Sequence, residues 1–179
     1  MKKIIKNFVI FKLLEGLALS FFFSTYSLFL QEKGLDSLEM GILNCICMVS
    51  IFILEIPTGA IADFFGRKCS TVIGLFMYSC SFLIYFFSNG FWCFALAEII
   101  GALAMACVSG ALEALVVDSL KYHGYTDNLE KVFRRGELRA IGVVIGSVSG
   151  GFIGGIDLSY PWLASAIAFF VLAIWQYFL

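Results

Sequence analysis

Long apolar runs broken by short polar stretches organise the whole chain. Six runs, residues 7–30, 38–62, 69–88, 91–117, 138–156 and 161–179, meet or approach the roughly 20 residues a helix needs to cross a hydrocarbon core about 30 Å thick. They predict an all-α membrane protein with six transmembrane helices, forming a single transmembrane domain over residues 1–179. The breaks at 31–37, 88–90 and 157–160 are brief and leave no room for an extracellular domain. The longest break, 119–136, is polar and carries His123, which reads as a solvated loop residue. Lys2, Lys3 and Lys6 precede the first run as in a secretory signal, but no small-x-small cleavage site follows, and Lys12 and Glu15 interrupt the run. It therefore reads as a retained first helix.

Composition agrees: 61% of residues are hydrophobic and 14% charged, against about 45–50% and about 25% in soluble domains. The net charge of -1 gives no case for nucleic acid as a partner; membrane lipid is the partner the hydrophobic composition supports. Placement matters more than the total. With the N-terminus cytoplasmic, 11 of the 12 Lys and Arg fall on inner segments, leaving only Lys33 outside. The positive-inside rule then places both termini in the cytoplasm of a multi-pass plasma-membrane protein. Arg134 and Arg135 read as an orientation anchor at anionic headgroups. The six cysteines lie in or beside apolar runs without a CxxC pair and with a single histidine in the chain, so they read as small packing residues, with no metal or cofactor implied.

Chemistry concentrates in a tight charged hairpin between the second and third runs, Gly59-Ala-Ile-Ala-Asp63-Phe-Phe-Gly66-Arg67-Lys68. Gly66 permits the sharp turn, Arg67 and Lys68 hold the loop out of lipid, and Asp63 stands four residues before Arg67, within ion-pair reach. The spacing of Gly59, Ile61, Asp63, Gly66, Arg67 and Lys68 resembles the signature loop of the major facilitator superfamily, with Phe64 where that family usually has a basic residue. The resemblance implies the N-terminal six-helix half (3+3 helices) of a twelve-helix transporter, the second half being absent. It also implies that Asp118, at the end of the fourth run, pairs with Arg67 in a network that holds the cytoplasmic side closed.

Carboxylates at membrane depth are costly and mark function by default. Glu15, Glu55, Glu98 and Glu113 are the candidates for a proton or substrate pathway, with Glu15, Glu55 and Glu113 toward an inner layer and Glu98 toward the outer side. A structural reading stands beside this one: Glu113 reaches the cytoplasmic surface, and Glu55 bonds backbone exposed by Pro57. On the fourth helix Glu98, Ala102, Met105, Ser109 and Glu113 share one face at 100° per residue, a stripe suited to a cavity or a close neighbour. In the fifth run Gly142, Gly146, Gly150 and Gly151 give GxxxG spacings that let helix backbones approach closely. They resemble the antiporter motif of drug/proton exchangers in the same superfamily, with Ser147 in place of its usual proline. The fourth-helix arginine of the family is replaced by the stretch from Glu98 to Gly101, so its proton relay does not carry over.

The resemblance implies secondary active transport of a small-molecule substrate by alternating access, with proton-coupled efflux as one form, as a half transporter that works as a homodimer or beside a second six-helix half. The alternative from a different class is a non-transporting membrane scaffold, assembly partner or inactive fragment. The chain does not read as an enzyme: Ser109-Gly110 lacks the preceding glycine of a GxSG protease, and His123 is in a loop.

Overall fold

The computed structural model describes residues 2–125 and 129–178. Among the residues singled out from sequence, the side chains of Lys2 and Ile61 lie outside those described, as do residues 126–128 of the inner loop and Leu179. The described residues form eight helices: α1 (Lys2–Ser20), α2 (Tyr26–Glu32), α3 (Ser37–Phe65), α4 (Arg67–Phe87), α5 (Phe91–Tyr122), α6 (Glu130–Gly136), α7 (Arg139–Gly154) and α8 (Tyr160–Phe178). The bundle is all-helical, as expected.

Among the described residues, five helical stretches are long and apolar enough to cross a membrane: Ser37–Phe64, Arg67–Phe87, Phe91–Tyr122, Glu130–Gly154 and Tyr160–Phe178. The predicted first span, 7–30, is not among them. It is broken between α1 and α2, where Phe23 N–H bonds the Ser20 carbonyl and Thr25 N–H bonds the Phe22 carbonyl, both at 3.1 Å, in tight turns. Ser20 and Thr25 also direct their hydroxyls back to the carbonyls of Leu17 and Phe22, the local competition that disfavours these residues inside helices. The predicted polar loop 119–136 is also shorter than expected, since α5 runs to Tyr122 and α6 is helical.

Local chemistry explains the other boundaries. Asp36 caps α3: its carboxylate accepts the Glu39 N–H at 2.8 Å and Glu39 accepts the Asp36 N–H at 3.0 Å, a reciprocal capping box. Gly66 and Gly90, at φ 93° and 91°, turn the chain between α3 and α4 and between α4 and α5 in a region side chains disfavour. Pro57 lies inside α3 and has no N–H to donate. Next to it, the Thr58 hydroxyl bonds the carbonyls of Leu54 at 2.7 Å and Glu55 at 3.2 Å; the carbonyl that Pro57 leaves without an N–H partner is that of Ile53. The Glu55 carboxylate, expected as one partner for that backbone, is exposed instead.

The helices pack in the spatial order α3, α5, α4, α8, α1, α7. An aromatic cluster fills the interior at one end: Trp162 stacks on Tyr85 at 4.0 Å and on Phe22 at 4.3 Å, and Tyr85 stacks on Phe94 at 4.9 Å. Such pairs add about 0.5–1.5 kcal/mol each beyond area burial. The helices at either end of the order, α3 and α7, expose apolar side chains including Val49, Phe52 and Ile56, and Val144, Val148 and Phe152. Cys107 is the one cysteine that packs in the interior as predicted; Cys45, Cys69, Cys80 and Cys93 are exposed on helix surfaces and Cys47 is half-buried.

Candidate functional site

The charged hairpin is assembled by its turn. Because Gly66 reverses the chain, Arg67 opens α4 directly beside the last turn of α3, and its guanidinium reaches both neighbours. Nη2 lies 3.5 Å from Asp63 Oδ1 and Nη1 donates to Asp118 Oδ2 at 2.5 Å. One planar fork therefore ties the ends of α3 and α5 to the start of α4. Lys68 is exposed with no acidic partner among the described residues. Beside the fork opens a crevice of about 1030 Å³, lined also by Gly66, Lys68 and, from the end of α8, Tyr177 and Phe178. A smaller crevice of about 280 Å³ between α3 and α5 brings Glu55 and Gly59 to the same Asp63 and Arg67.

The four candidate glutamates separate into different settings. Glu15 is 8% exposed, and Lys12 Nζ at 3.2 Å and Arg139 Nε at 3.7 Å bracket its carboxylate. It thus sits between two cations where α1 meets α7. Glu98 accepts the Tyr85 hydroxyl at 2.5 Å. Tyr26 Oη is buried there without a hydrogen-bond partner within the described residues. Glu55 is exposed in the small crevice, and Glu113 is exposed on α5. On the α5 stripe Ala102 is fully buried, whereas Met105, Ser109 and Glu113 are exposed, so the shared face passes from interior to surface along the helix.

Sequence reasoning missed the partners of these acids. The Lys12 contact was accessible, being an i, i+3 pair on one helix. Tyr85 carried no spacing signal: it lies five residues before the Gly90 turn and Glu98 eight after it, so their pairing depends on how α4 and α5 pack. Arg139 carried no such signal, because its contact depends on how α7 docks on α1. A Tyr85→Phe variant, which deletes only the hydroxyl, is expected to lower stability by about 0.5–1.5 kcal/mol, as for a typical intramolecular hydrogen bond. A thermal melt in detergent checks this, and an unchanged midpoint would mean the bond adds nothing.

Glycines set the α1–α7 docking. A Cβ at Gly142 would overlap the Leu13 carbonyl, one at Gly146 the Ser20 hydroxyl and Leu17 carbonyl, and one at Gly150 the Phe21 carbonyl. Gly151 is different: its nearest atom would be Ser24 Oγ at 3.4 Å, an ordinary contact. Gly154, on the same stripe as the first three, would meet Thr25 Cγ2 at 2.5 Å.

No protein-family model matches the chain. It is similar to the uncharacterized MFS-type transporter YxaM of Bacillus subtilis, at 26% identity over 94% of this chain and 42% of that protein. Multidrug resistance protein 2 of Bacillus subtilis is 31% identical over 78% of this chain and 34% of its own length. The quinolone resistance protein NorA of Staphylococcus aureus is 26% identical over 82% of this chain and 38% of its own length. The chain thus spans well under half the length of the curated relatives it matches.

Proposed function

The chain belongs to the major facilitator superfamily, a family of transport proteins and not of enzymes, and from that premise we propose that it carries a small solute across the cytoplasmic membrane by alternating access, in the direction of efflux and coupled to protons. The observation that carries this reading is the Asp63–Arg67–Asp118 fork at the Gly66 turn. A charge network between three helix ends is broken and remade at little cost, as a cytoplasmic gate requires. In this reading α1 and α2 together make the first of six crossings, both termini face the cytoplasm, and the exposed faces of α3 and α7 seat a second six-helix bundle, either another copy or a different chain. Glu98, in its tyrosine setting, is the acid that takes up and releases the coupling proton, and Glu15 with Lys12 and Arg139 is a fixed charge cluster on the inner side. The names of two relatives, a multidrug and a quinolone resistance protein, support efflux as the direction.

The test is solute and proton flux in vesicles carrying the chain in its native assembly. Glu98→Gln keeps an acceptor for Tyr85 but has no proton to release. It is expected to reduce proton-driven flux at least tenfold while leaving exchange of solute down its own gradient. Unchanged proton-driven flux would remove Glu98 from the pathway, and absence of any flux from the wild-type assembly would favour the scaffold reading.

A further inference from the structure

The seam between α1 and α8 carries a feature outside the proposed gate and proton pathway. A groove of about 590 Å³ runs along it, with Ile10, Leu14 and Leu17 on one wall and Val171, Leu172 and Trp175 on the other. Its polar end is built separately. Ile10 also lines a second cleft, of about 430 Å³, which contains Lys6 and Arg135, so an apolar channel and a cationic cleft adjoin at one residue. Lys6, Ile10, Leu14 and Leu17 fall on one face of α1 at i, i+4, i+8 and i+11. Arg135 comes from α6, which is anchored by buried Val132 and by the edge-to-face contact of Phe133 with Phe8 at 5.8 Å. Both cations are exposed, and among the described residues neither has an acidic side chain within ion-pair distance.

We propose that this seam binds one anionic phospholipid, its phosphate between Lys6 and Arg135 and one acyl chain along Ile10, Leu14 and Leu17. Length and charge both select that occupant. From Lys6 to Leu17 is about 16 Å at about 1.5 Å per residue, close to the ~15 Å of one leaflet's hydrocarbon. Two unpaired cations at the polar end complement a headgroup of net negative charge, and Trp175 at the same end suits the depth where indoles sit beside headgroups. A transmembrane helix of a partner would leave both cations without a counter-charge. The site goes beyond the transport reading and stands or falls independently of it, since it requires only that the chain lie in a bilayer.

The experiment is native mass spectrometry of the full chain in detergent with equal amounts of phosphatidylglycerol and phosphatidylcholine of matched acyl chains. Each cation near an anionic headgroup is worth about fivefold, so phosphatidylglycerol is expected to be retained about 5- to 25-fold over phosphatidylcholine. Lys6→Ala with Arg135→Ala should bring the two lipids within about twofold, whereas Lys6→Arg with Arg135→Lys should keep the preference, which separates loss of charge from misfolding. Leu14→Trp, which fills the groove, should lower retention of both lipids. Inorganic phosphate at the same concentration should displace neither lipid, because the chain supplies part of the binding. The proposal is overturned if wild type shows no preference, if the Lys6/Arg135 alanine variant keeps it, if Lys131→Ala with Arg134→Ala removes it equally, or if phosphate competes.

Discussion

Replacing Gly150 with leucine is expected to prevent α7 from docking on α1, giving a chain that inserts but aggregates on extraction. The reason lies in which atoms meet. At Gly150 even the first side-chain carbon would overlap the backbone carbonyl of Phe21, and backbone cannot rotate away as a side chain can. Overpacking a core ordinarily costs about 1–3 kcal/mol because neighbours adjust; here the neighbour is the turn that ends α1, and the cost should lie at or above the top of that range. Against a total stability of about 5–15 kcal/mol, that removes a large share of the margin that keeps the chain native in detergent. Gly151→Ala is the internal control, since its Cβ would make only an ordinary contact 3.4 Å from Ser24 Oγ, and its effect should stay below about 1 kcal/mol. Size-exclusion profiles and thermal melts of the two variants decide the matter. Equal profiles for Gly150→Leu and wild type would show that α1 and α7 have a second way to pack.

That contrast also marks how far the sequence can be read. Glycines at intervals of four announce a close helix contact, and Gly142, Gly146 and Gly150 make one. Spacing alone does not say which of two adjacent glycines faces the partner, and Gly154, not Gly151, continues the stripe. Hydropathy delimits most of the helices because desolvation of the backbone dominates there. It is blind to the break at 21–25, where Phe-Phe-Phe-Ser-Thr contains neither glycine nor proline and the turn arises from hydroxyls and carbonyls at close range. The hairpin was legible down to its Asp63–Arg67 pair, since a separation of four residues keeps the two side chains within reach even across the Gly66 turn. By contrast, the Glu15–Arg139 pair depends on two helices 124 positions apart in sequence meeting at Gly16 and Gly142, which no local rule supplies.

Arg67→Ala is expected to reduce transport at least tenfold in the native assembly while leaving the thermal midpoint within a few degrees of wild type. The two halves of that statement rest on one magnitude. The side chains of Asp63 and Asp118 are 72% and 59% exposed and that of Arg67 is 32% exposed, and pairs so open to solvent are worth about 0–1 kcal/mol each. A loss of up to about 2 kcal/mol is a minor fraction of folding stability. Set against an equilibrium between two access states that differ by only a few kcal/mol, the same loss shifts populations by up to about 30-fold. In the proposed cycle, a fork made in one access state and broken in the other would control the cycle without controlling the fold. Geometry sharpens the test. Lysine at position 67 keeps the charge but not the two-pronged reach, so Arg67→Lys should fall between wild type and alanine. Exchanging the charges, Arg67→Asp with Asp118→Arg, restores the α4–α5 pair and should recover part of the lost flux, although the Asp63 arm then faces a like charge. Flux measured in vesicles alongside thermal melts separates the cases. If transport and stability fall together, the fork is a structural tie. If Arg67→Ala transports normally, the fork is not the proposed gate.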